Sequence, residues 1–336
     1  EIDSLLGEYL DGLAAADGFS GAVLVARGGR SIFERAYGEA SKSYGVPNAV
    51  DTKFNLGSMN KMFTAVAIAQ LEERGVLSWD DPVGKWLDAD WVRPEVGEKA
   101  TIRHLLTHTS GLGSFFNDEF MRSSRGLYRD LEAWKPIVSK DSLAFEPGTE
   151  WAYSNTGFML LGAIVEKASG QSYYDYVREH IYEPAGMTGT DAYEVDAVVP
   201  NLAQGYERME TEGGVTYRSN IFEHTVRGGP AGGGYSTAPD LLAFANALAD
   251  AIRESGMTRT PVRISGRSNW LDAGRPVRVG KNLSLRERLG QMLMTPVQVE
   301  QATGLRLVAA VRRVAGAPAA ACGEQQGGGQ EAGRQG

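Results

Sequence analysis

Residues 55–64 carry a serine and a lysine whose spacing could support nucleophilic chemistry. Ser58 and Lys61 lie three residues apart, so on a helix they share one face and the amine can reach the hydroxyl. A serine hydroxyl is a weak nucleophile at neutral pH and needs a neighbouring base. A lysine can be that base when burial or a nearby cation lowers its pKa. The pair therefore indicates a candidate nucleophile, Ser58, and a candidate base, Lys61.

The residues that follow predict the helix that this pairing needs. Apolar residues keep helical spacing over 62–71, and Gly75 supplies a plausible stop. Backbone N–H groups at the start of such a helix could also stabilise negative charge on an acyl oxygen. On spacing alone a second interpretation stays open, in which Ser58 caps an ordinary helix and Lys61 is solvated.

A second motif, Tyr153-Ser154-Asn155, brings a phenol and an amide into one short turn. A tyrosine near an ammonium group can hold a lowered pKa and pass protons between a serine and a leaving group. The asparagine side chain can donate to a substrate carbonyl and accept from a lysine. Taken alone, the tripeptide is equally consistent with an exposed turn.

Two histidines offer a different chemistry. His104 and His108 are four residues apart in a predicted helix over 102–108, which Thr101 can cap. This spacing can bind a metal, but the sequence places no third ligand beside them. We favour packing or hydrogen-bonding roles for both and expect neither a metal site nor a cofactor. A metallohydrolase that uses them is the remote alternative.

The elements that must position these residues can be predicted in outline. We expect an amphipathic helix over 2–15, a hairpin of strands 21–26 and 31–37, and a mainly helical region over 78–200. Further predictions are helices over 158–168, 173–181 and 241–248, a short strand at 235–236 and a flexible glycine-rich segment over 228–234. Residues 305–311 fit a strand or a helix equally well.

Composition limits the classes of function. The chain has 336 residues, of which 42% are hydrophobic and 23% charged, which suits an enzyme of one large domain or two interleaved ones. No apolar run approaches a membrane span, and a formal charge of −8 argues against nucleic-acid binding. The single Cys322 excludes an internal disulfide. The first residue is Glu1: a removed signal peptide would favour a periplasmic or secreted location, and otherwise we expect a cytoplasmic one.

Five segments, in order, resemble the serine β-lactamase and penicillin-binding-protein-like family. Its nearest branches are class C β-lactamases, D-alanyl-D-alanine carboxypeptidases and related esterases, in which Tyr-Ser-Asn stands where sister enzymes have Ser-Asp-Asn. The resemblance covers about residues 2–250. The segments are 54–61 (FNLGSMNK), 102–112 (IRHLLTHTSGL), 145–155 (FEPGTEWAYSN), 183–187 (EPAGM) and 232–240 (GGGYSTAPD).

The resemblance implies an α+β fold: a five-stranded antiparallel sheet flanked by helices, with an all-helical lobe of about 78–200 inserted in the α/β lobe. The active site would lie between the lobes. Ser58 would be the nucleophile and would give one oxyanion N–H, Lys61 and Tyr153 would share proton transfer, and Asn155 would bind the substrate carbonyl. The expected activity is hydrolysis of a small ester, peptide or β-lactam through an acyl-enzyme. The alternative is a catalytically impaired or dead family member with a binding or scaffold role.

The chain departs from the family after about residue 250. The family's third motif, Lys-Thr-Gly or His-x-Gly on a late strand, is absent: His224 lacks the glycine, Lys281 lacks both following residues, and 327–329 lie in low-complexity sequence. From Ile252 onward, 12 arginines and one lysine stand against six acidic residues, with neither Phe nor Tyr. We therefore treat 1–250 as the hydrolase domain and 251–336 as an atypical tail.

Two explanations of the tail stay open: a gene read out of frame, or a divergent native segment. If the tail is out of frame, the late strands are lost and one edge of the 21–37 hairpin should be unpaired. An oxyanion hole with one donor instead of two should react about 10²–10³-fold more slowly. Such a protein should aggregate readily and be weakly active.

Translation of the neighbouring reading frames of the source gene tests the out-of-frame explanation. That explanation predicts a frame that encodes a strand with His-x-Gly or Lys-Thr-Gly downstream of residue 250. If no frame does so, the tail is a divergent native segment.

Overall fold

The computed structural model describes residues 2–254 and 306–312, which form a mixed α+β fold. The helices are α1 Ile2–Ala15, α2 Lys61–Glu73, α3 Pro94–Lys99, α4 Ile102–Leu106, α5 Asp118–Arg122, α6 Lys135–Val138, α7 Asn155–Ser169, α8 Tyr173–Val177 and α9 Ala238–Glu254. The strands are β1 Gly21–Arg27, β2 Arg30–Tyr37, β3 Glu39–Ser41, β4 Val46–Pro47, β5 Phe54–Asn55, β6 Tyr206–Thr211, β7 Gly214–Ser219, β8 Tyr235–Ser236 and β9 Arg306–Arg312.

The main sheet has the order β2-β1-β9, and both of its pairings are antiparallel. Because side chains alternate along a strand, β1 contributes to two cores. Ala22 and Leu24 join the main core, whereas Val23 and Val25 pack with Leu10 of α1 in a smaller cluster. Covering both faces of β1 explains its run of consecutive apolar residues.

The predicted hairpin is confirmed, and its turn needs two glycines. Gly28 and Gly29 connect β1 to β2 with φ angles of 58° and 81°. Positive φ at both central residues is what a two-residue turn between right-twisted strands requires, and glycine adopts it without a steric penalty.

The hairpin edge beside β1 is paired, unlike the open edge that the out-of-frame explanation predicts. β9 pairs with β1 from Gly21↔Arg312 to Ala26↔Arg306, which also resolves the ambiguity of 305–311 in favour of a strand. The sheet therefore has three described strands. The other late strands of the expected five and Lys281 lie outside the described residues.

The region predicted to be mainly helical contains α3 to α8 and several single 3-10 turns. An aromatic cluster holds it together: Phe120 stacks on Trp134 with ring centroids 5.6 Å apart, and Tyr128 contacts the same indole at 4.3 Å. All three side chains are buried. The hairpin β6–β7 that follows this region was not predicted.

Helices α2 and α7 pack against each other. Every residue of α7 from Thr156 to Val165 is buried, and Gly170 ends the helix with a φ of 73°. Since α2 begins at Lys61 and α7 begins at Asn155, the packing of these two helices sets the distance between the two sequence motifs.

The glycine-rich segment 228–234 is a packed loop rather than the flexible segment expected. Its backbone closes on itself through two hydrogen bonds between Gly229 and Gly232. Asn60 Nδ2 donates to the Gly229 carbonyl at 2.8 Å, and Thr64 Oγ1 donates to the Pro230 carbonyl at 2.8 Å. Two polar side chains next to Lys61 therefore fasten this loop to α2.

The same loop fits against α7 only because residue 162 is glycine. A Cβ atom on Gly162 would lie 2.0 Å from Cγ of Pro230, well inside van der Waals contact. The loop 228–234 and helix α7 thus approach each other so closely that a side chain at position 162 would clash with Pro230.

In the described part of the chain, no helix has both the length and the apolar character needed to cross a membrane.

Replacing Gly162 with Ala should lower the free energy of unfolding by about 1–3 kcal/mol, the usual effect of overpacking. Urea unfolding measures it. Gly12→Ala is the matched control: Gly12 lies in α1 with nothing within 4 Å of a Cβ, so its replacement should stabilise the protein by up to about 1 kcal/mol through helix propensity. Equal effects of the two substitutions would contradict the close-approach argument.

Candidate active site

Ser58 lies in a single 3-10 turn, Gly57–Asn60, that leads into α2. Gly57 adopts a φ of 52°, and its N–H donates to Asn55 Oδ1 at 2.8 Å. Asn55 pairs with Tyr235 across β5 and β8, so a small two-stranded sheet anchors the turn. The serine side chain is exposed, and its backbone N–H belongs to the first turn, where helical N–H groups lack intrahelical partners.

Lys61 is buried, which contradicts the interpretation of it as a solvated side chain. Its Nζ donates to Ser58 Oγ at 3.2 Å, to Asn155 Oδ1 at 2.8 Å and to the Ala231 carbonyl at 2.5 Å. Burial lowers the pKa of Lys61 to about 7 because the charged form is poorly solvated there. The amine therefore titrates near neutral pH.

The three partners of Lys61 determine where its proton can come from. An ammonium donates three hydrogen bonds, whereas a neutral amine donates two and accepts one. The Ala231 carbonyl and Asn155 Oδ1 can only accept, so of the three partners only the Ser58 hydroxyl can donate to a neutral Lys61. Deprotonation of the lysine thus converts Ser58 Oγ from an acceptor into a donor to the amine.

Asn155 is oriented by a residue that the sequence analysis missed. Its Nδ2 donates to Ser114 Oγ at 3.1 Å, while its Oδ1 accepts from Lys61. Ser154 caps α7 by accepting from the Gly157 N–H at 2.9 Å, which fixes Asn155 at the first helical position. Ser114 follows the family-like segment 102–112, but no spacing rule links it to a residue 41 positions away.

Tyr153 completes the cluster, but not with the electronic character expected. Its hydroxyl donates to Ser58 Oγ at 2.7 Å, and its ring centroid lies 4.8 Å from Lys61 Nζ. Partial burial raises the pKa of Tyr153, and the hydrogen bond with Ser58 only partly opposes this. The expectation of a lowered pKa is therefore wrong: the phenol is neutral and acts as a donor.

The two histidines do not share a helix face. Helix α4 ends at Leu106, and His108 has a left-handed backbone with a φ of 58°. His104 Nδ1 accepts from the Thr101 N–H in a capping box, while His108 Nδ1 accepts from the Ser154 N–H at 3.0 Å. Within residues 2–254 and 306–312, no group of three or more His, Cys, Asp or Glu side chains could hold a metal ion.

The fold and the cluster around Ser58 place the chain among proteins built like serine hydrolases. A family model described as Beta-lactamase matches residues 6–303, so the chain belongs to the beta-lactamase family. This match extends past residue 250, where the motif resemblance stops, and ends three residues before β9.

Named relatives span several activities within this family. Penicillin-binding protein 4* of Bacillus subtilis is 39% identical over 177 residues, which is 52% of this chain and 38% of that protein. Esterase EstB of Burkholderia gladioli is 33% identical over 254 residues, 67% of this chain and 64% of that protein. The crystal structure of a penicillin-binding protein from Bacillus halodurans superposes with a TM-score of 0.65 at 34% identity and covers 72% of each chain.

The chain spans less than two thirds of the length of either curated relative, 38% of the first and 64% of the second.

The rate of acylation should rise with pH through about 7, because burial lowers the pKa of Lys61 to about 7 and only the neutral amine accepts a proton. Single-turnover labelling by a fluorophosphonate across pH 5–9 measures this limb. In Lys61→Arg, the guanidinium stays protonated, so the limb should vanish and the rate fall by roughly 10²–10⁴-fold. If the labelling rate of Lys61→Arg still rose with pH through about 7, the titration would belong to another group.

Proposed function

We propose that this protein is a serine hydrolase that acts through an acyl-enzyme at Ser58. The observation that carries the proposal is the position of Ser58 Oγ, 3.2 Å from Lys61 Nζ and 2.7 Å from the Tyr153 hydroxyl. A buried lysine with a pKa of about 7 is matched to base catalysis at neutral pH.

In the proposed acylation step, neutral Lys61 takes the Ser58 proton while Oγ bonds to the substrate carbonyl carbon and the carbonyl electrons move to its oxygen. The Ser58 N–H donates to that oxyanion. As the tetrahedral intermediate collapses, the Tyr153 hydroxyl protonates the departing group, and the Lys61 ammonium returns a proton to the tyrosine. Water then hydrolyses the acyl-enzyme by the reverse proton movements.

Asn155 is proposed to bind the carbonyl group of the substrate. One of its two Nδ2 hydrogens is used by Ser114, and the other is left for substrate. Since Oδ1 accepts from Lys61 and Nδ2 donates to Ser114, the side-chain amide cannot flip by 180° without losing both hydrogen bonds. This fixed orientation supports its role as a donor.

For the substrate class, we favour an ester or a peptide over a β-lactam, so that the protein would be an esterase or peptidase and not a dedicated β-lactamase. The relatives support this choice only in general terms, because one is named as an esterase and two as penicillin-binding proteins. A panel of p-nitrophenyl esters measured beside nitrocefin tests it: ester turnover without nitrocefin turnover is expected, and the reverse result would identify a β-lactamase.

A catalytically impaired member with a binding or scaffold role is the second candidate. The observation that favours it is the absence from the sequence of Lys-Thr-Gly and His-x-Gly. Covalent labelling by a fluorescent penicillin or a fluorophosphonate separates the two candidates, since only a working nucleophile reacts. Labelling that survives a chelator would also dismiss the remote metallohydrolase.

Replacing Ser58 with Ala should abolish labelling and turnover and leave the fold intact. Ser58 is exposed and caps neither its own turn nor α2, so its loss should cost about 1 kcal/mol of stability at most, the usual net contribution of a hydrogen bond. Mass spectrometry of labelled protein and urea unfolding measure the two effects. Ser142→Ala, at another exposed serine, is the control and should label normally; equal labelling of Ser58→Ala would remove Ser58 as the nucleophile.

A further inference from the structure

His108 is a partly buried titratable group beside the cluster that the proposed mechanism does not use. It lies just beyond α4, and its backbone carbonyl accepts from the Ala152 N–H at 2.9 Å. Its Nδ1 accepts from the Ser154 N–H at 3.0 Å. One residue therefore holds the backbone on both sides of Tyr153.

The imidazole also contacts the tyrosine ring directly. The centroids of His108 and Tyr153 are 4.6 Å apart with planes 32° from parallel. On α7, the buried Phe158 contacts the imidazole at 5.2 Å and 35°. Packing against a buried ring restricts the imidazole, and the imidazole in turn restricts the phenol. The phenol is half exposed, so these contacts and its bond to Ser58 are what orient it.

This arrangement needs a neutral imidazole. Because Nδ1 accepts from a backbone N–H, the ring hydrogen must lie on Nε2. Protonation would point an Nδ1 hydrogen at the Ser154 N–H and break that contact. Burial, and then the positive charge of Lys61, lowers the pKa of His108 to about 4, so the ring remains neutral over the range in which Lys61 titrates.

The backbone at His108 is unusual as well. Its φ of 58° lies in the left-handed region, which only glycine enters freely and which Asn, Asp and His occupy more often than other residues do. This conformation turns the chain after α4 so that the carbonyl and the ring of the same residue both reach segment 152–154. A helical continuation to residue 108, as the sequence suggested, would not place them there.

We infer that His108 is a positioning residue that holds the Tyr153 hydroxyl at Ser58. The inference rests on the proposed function, because it assigns Tyr153 a part in proton transfer. His108 itself touches no reacting atom and acts through the tyrosine.

The test compares His108→Asn in two backgrounds, the natural chain and Tyr153→Phe. Asparagine tolerates a left-handed backbone, so the variant removes the ring while disturbing the turn least. The measured quantity is the rate of fluorophosphonate labelling at Ser58 in the full chain. We expect a loss of about 10–10²-fold in the natural background, the scale of a misplaced catalytic group, and little further loss when the tyrosine hydroxyl is already absent.

His104→Ala is the matched control. His104 is also partly buried, belongs to the same segment and accepts a backbone N–H through Nδ1, but it caps α4 and does not contact Tyr153. This substitution should lower the urea midpoint through the lost capping contact and leave the labelling rate unchanged. It therefore reports what destabilisation alone does to labelling.

Each outcome has one meaning. Equal losses from His108→Asn in both backgrounds, or a similar loss in His104→Ala, would show a general structural effect and overturn the inference while Ser58 still labels. An unchanged rate in His108→Asn would overturn it too. Labelling of the natural chain that persists in Ser58→Ala would instead overturn the proposed function. If His108→Asn does not fold, His108→Phe, which keeps a ring but loses the Nδ1 acceptor, is measured in the same two backgrounds and judged by the same criteria.

Discussion

The buried amine of Lys61 is the group on which the arrangement of this site depends. Burying a charge is costly unless it is paired or fully hydrogen-bonded. Here three oxygen atoms accept from the amine, and no carboxylate of residues 2–254 is among its contacts. This set is enough to keep the ammonium inside the protein but not enough to keep its pKa high. A neighbouring carboxylate would have stabilised the charge and removed the base.

Three distant parts of the chain supply those oxygens, so the fold as a whole sets the acidity of the lysine. Ser58 comes from the turn before α2, Asn155 from the start of α7, and the Ala231 carbonyl from the glycine-rich loop. The loop is fastened to α2 by side-chain hydrogen bonds and to α7 through the contact of Pro230 with Gly162. Displacement of any one of these elements would change how many hydrogen bonds the amine makes.

The sequence was sufficient for side chains whose type and spacing carry the chemistry, and for elements with clear periodicity. It led to Ser58, Lys61, Tyr153 and Asn155, which the structure brings together, and to the 21–37 hairpin. It could not reveal the Ala231 carbonyl, because a backbone oxygen has no signature of its own. The raised pKa of Tyr153 and the pairing of β9 were also out of reach, since burial and long-range pairing depend on tertiary contacts.

The pairing of β9 with β1 has a consequence for how the chain reaches this structure. Gly21 and Arg312 are partners across the sheet, so β1 leaves the ribosome nearly 300 residues before the strand that covers its second edge. Contacts of such large sequence separation form slowly. During synthesis, the β1 edge is a template open to pairing with other chains, which makes protection of the nascent hairpin a requirement for a good yield of folded protein.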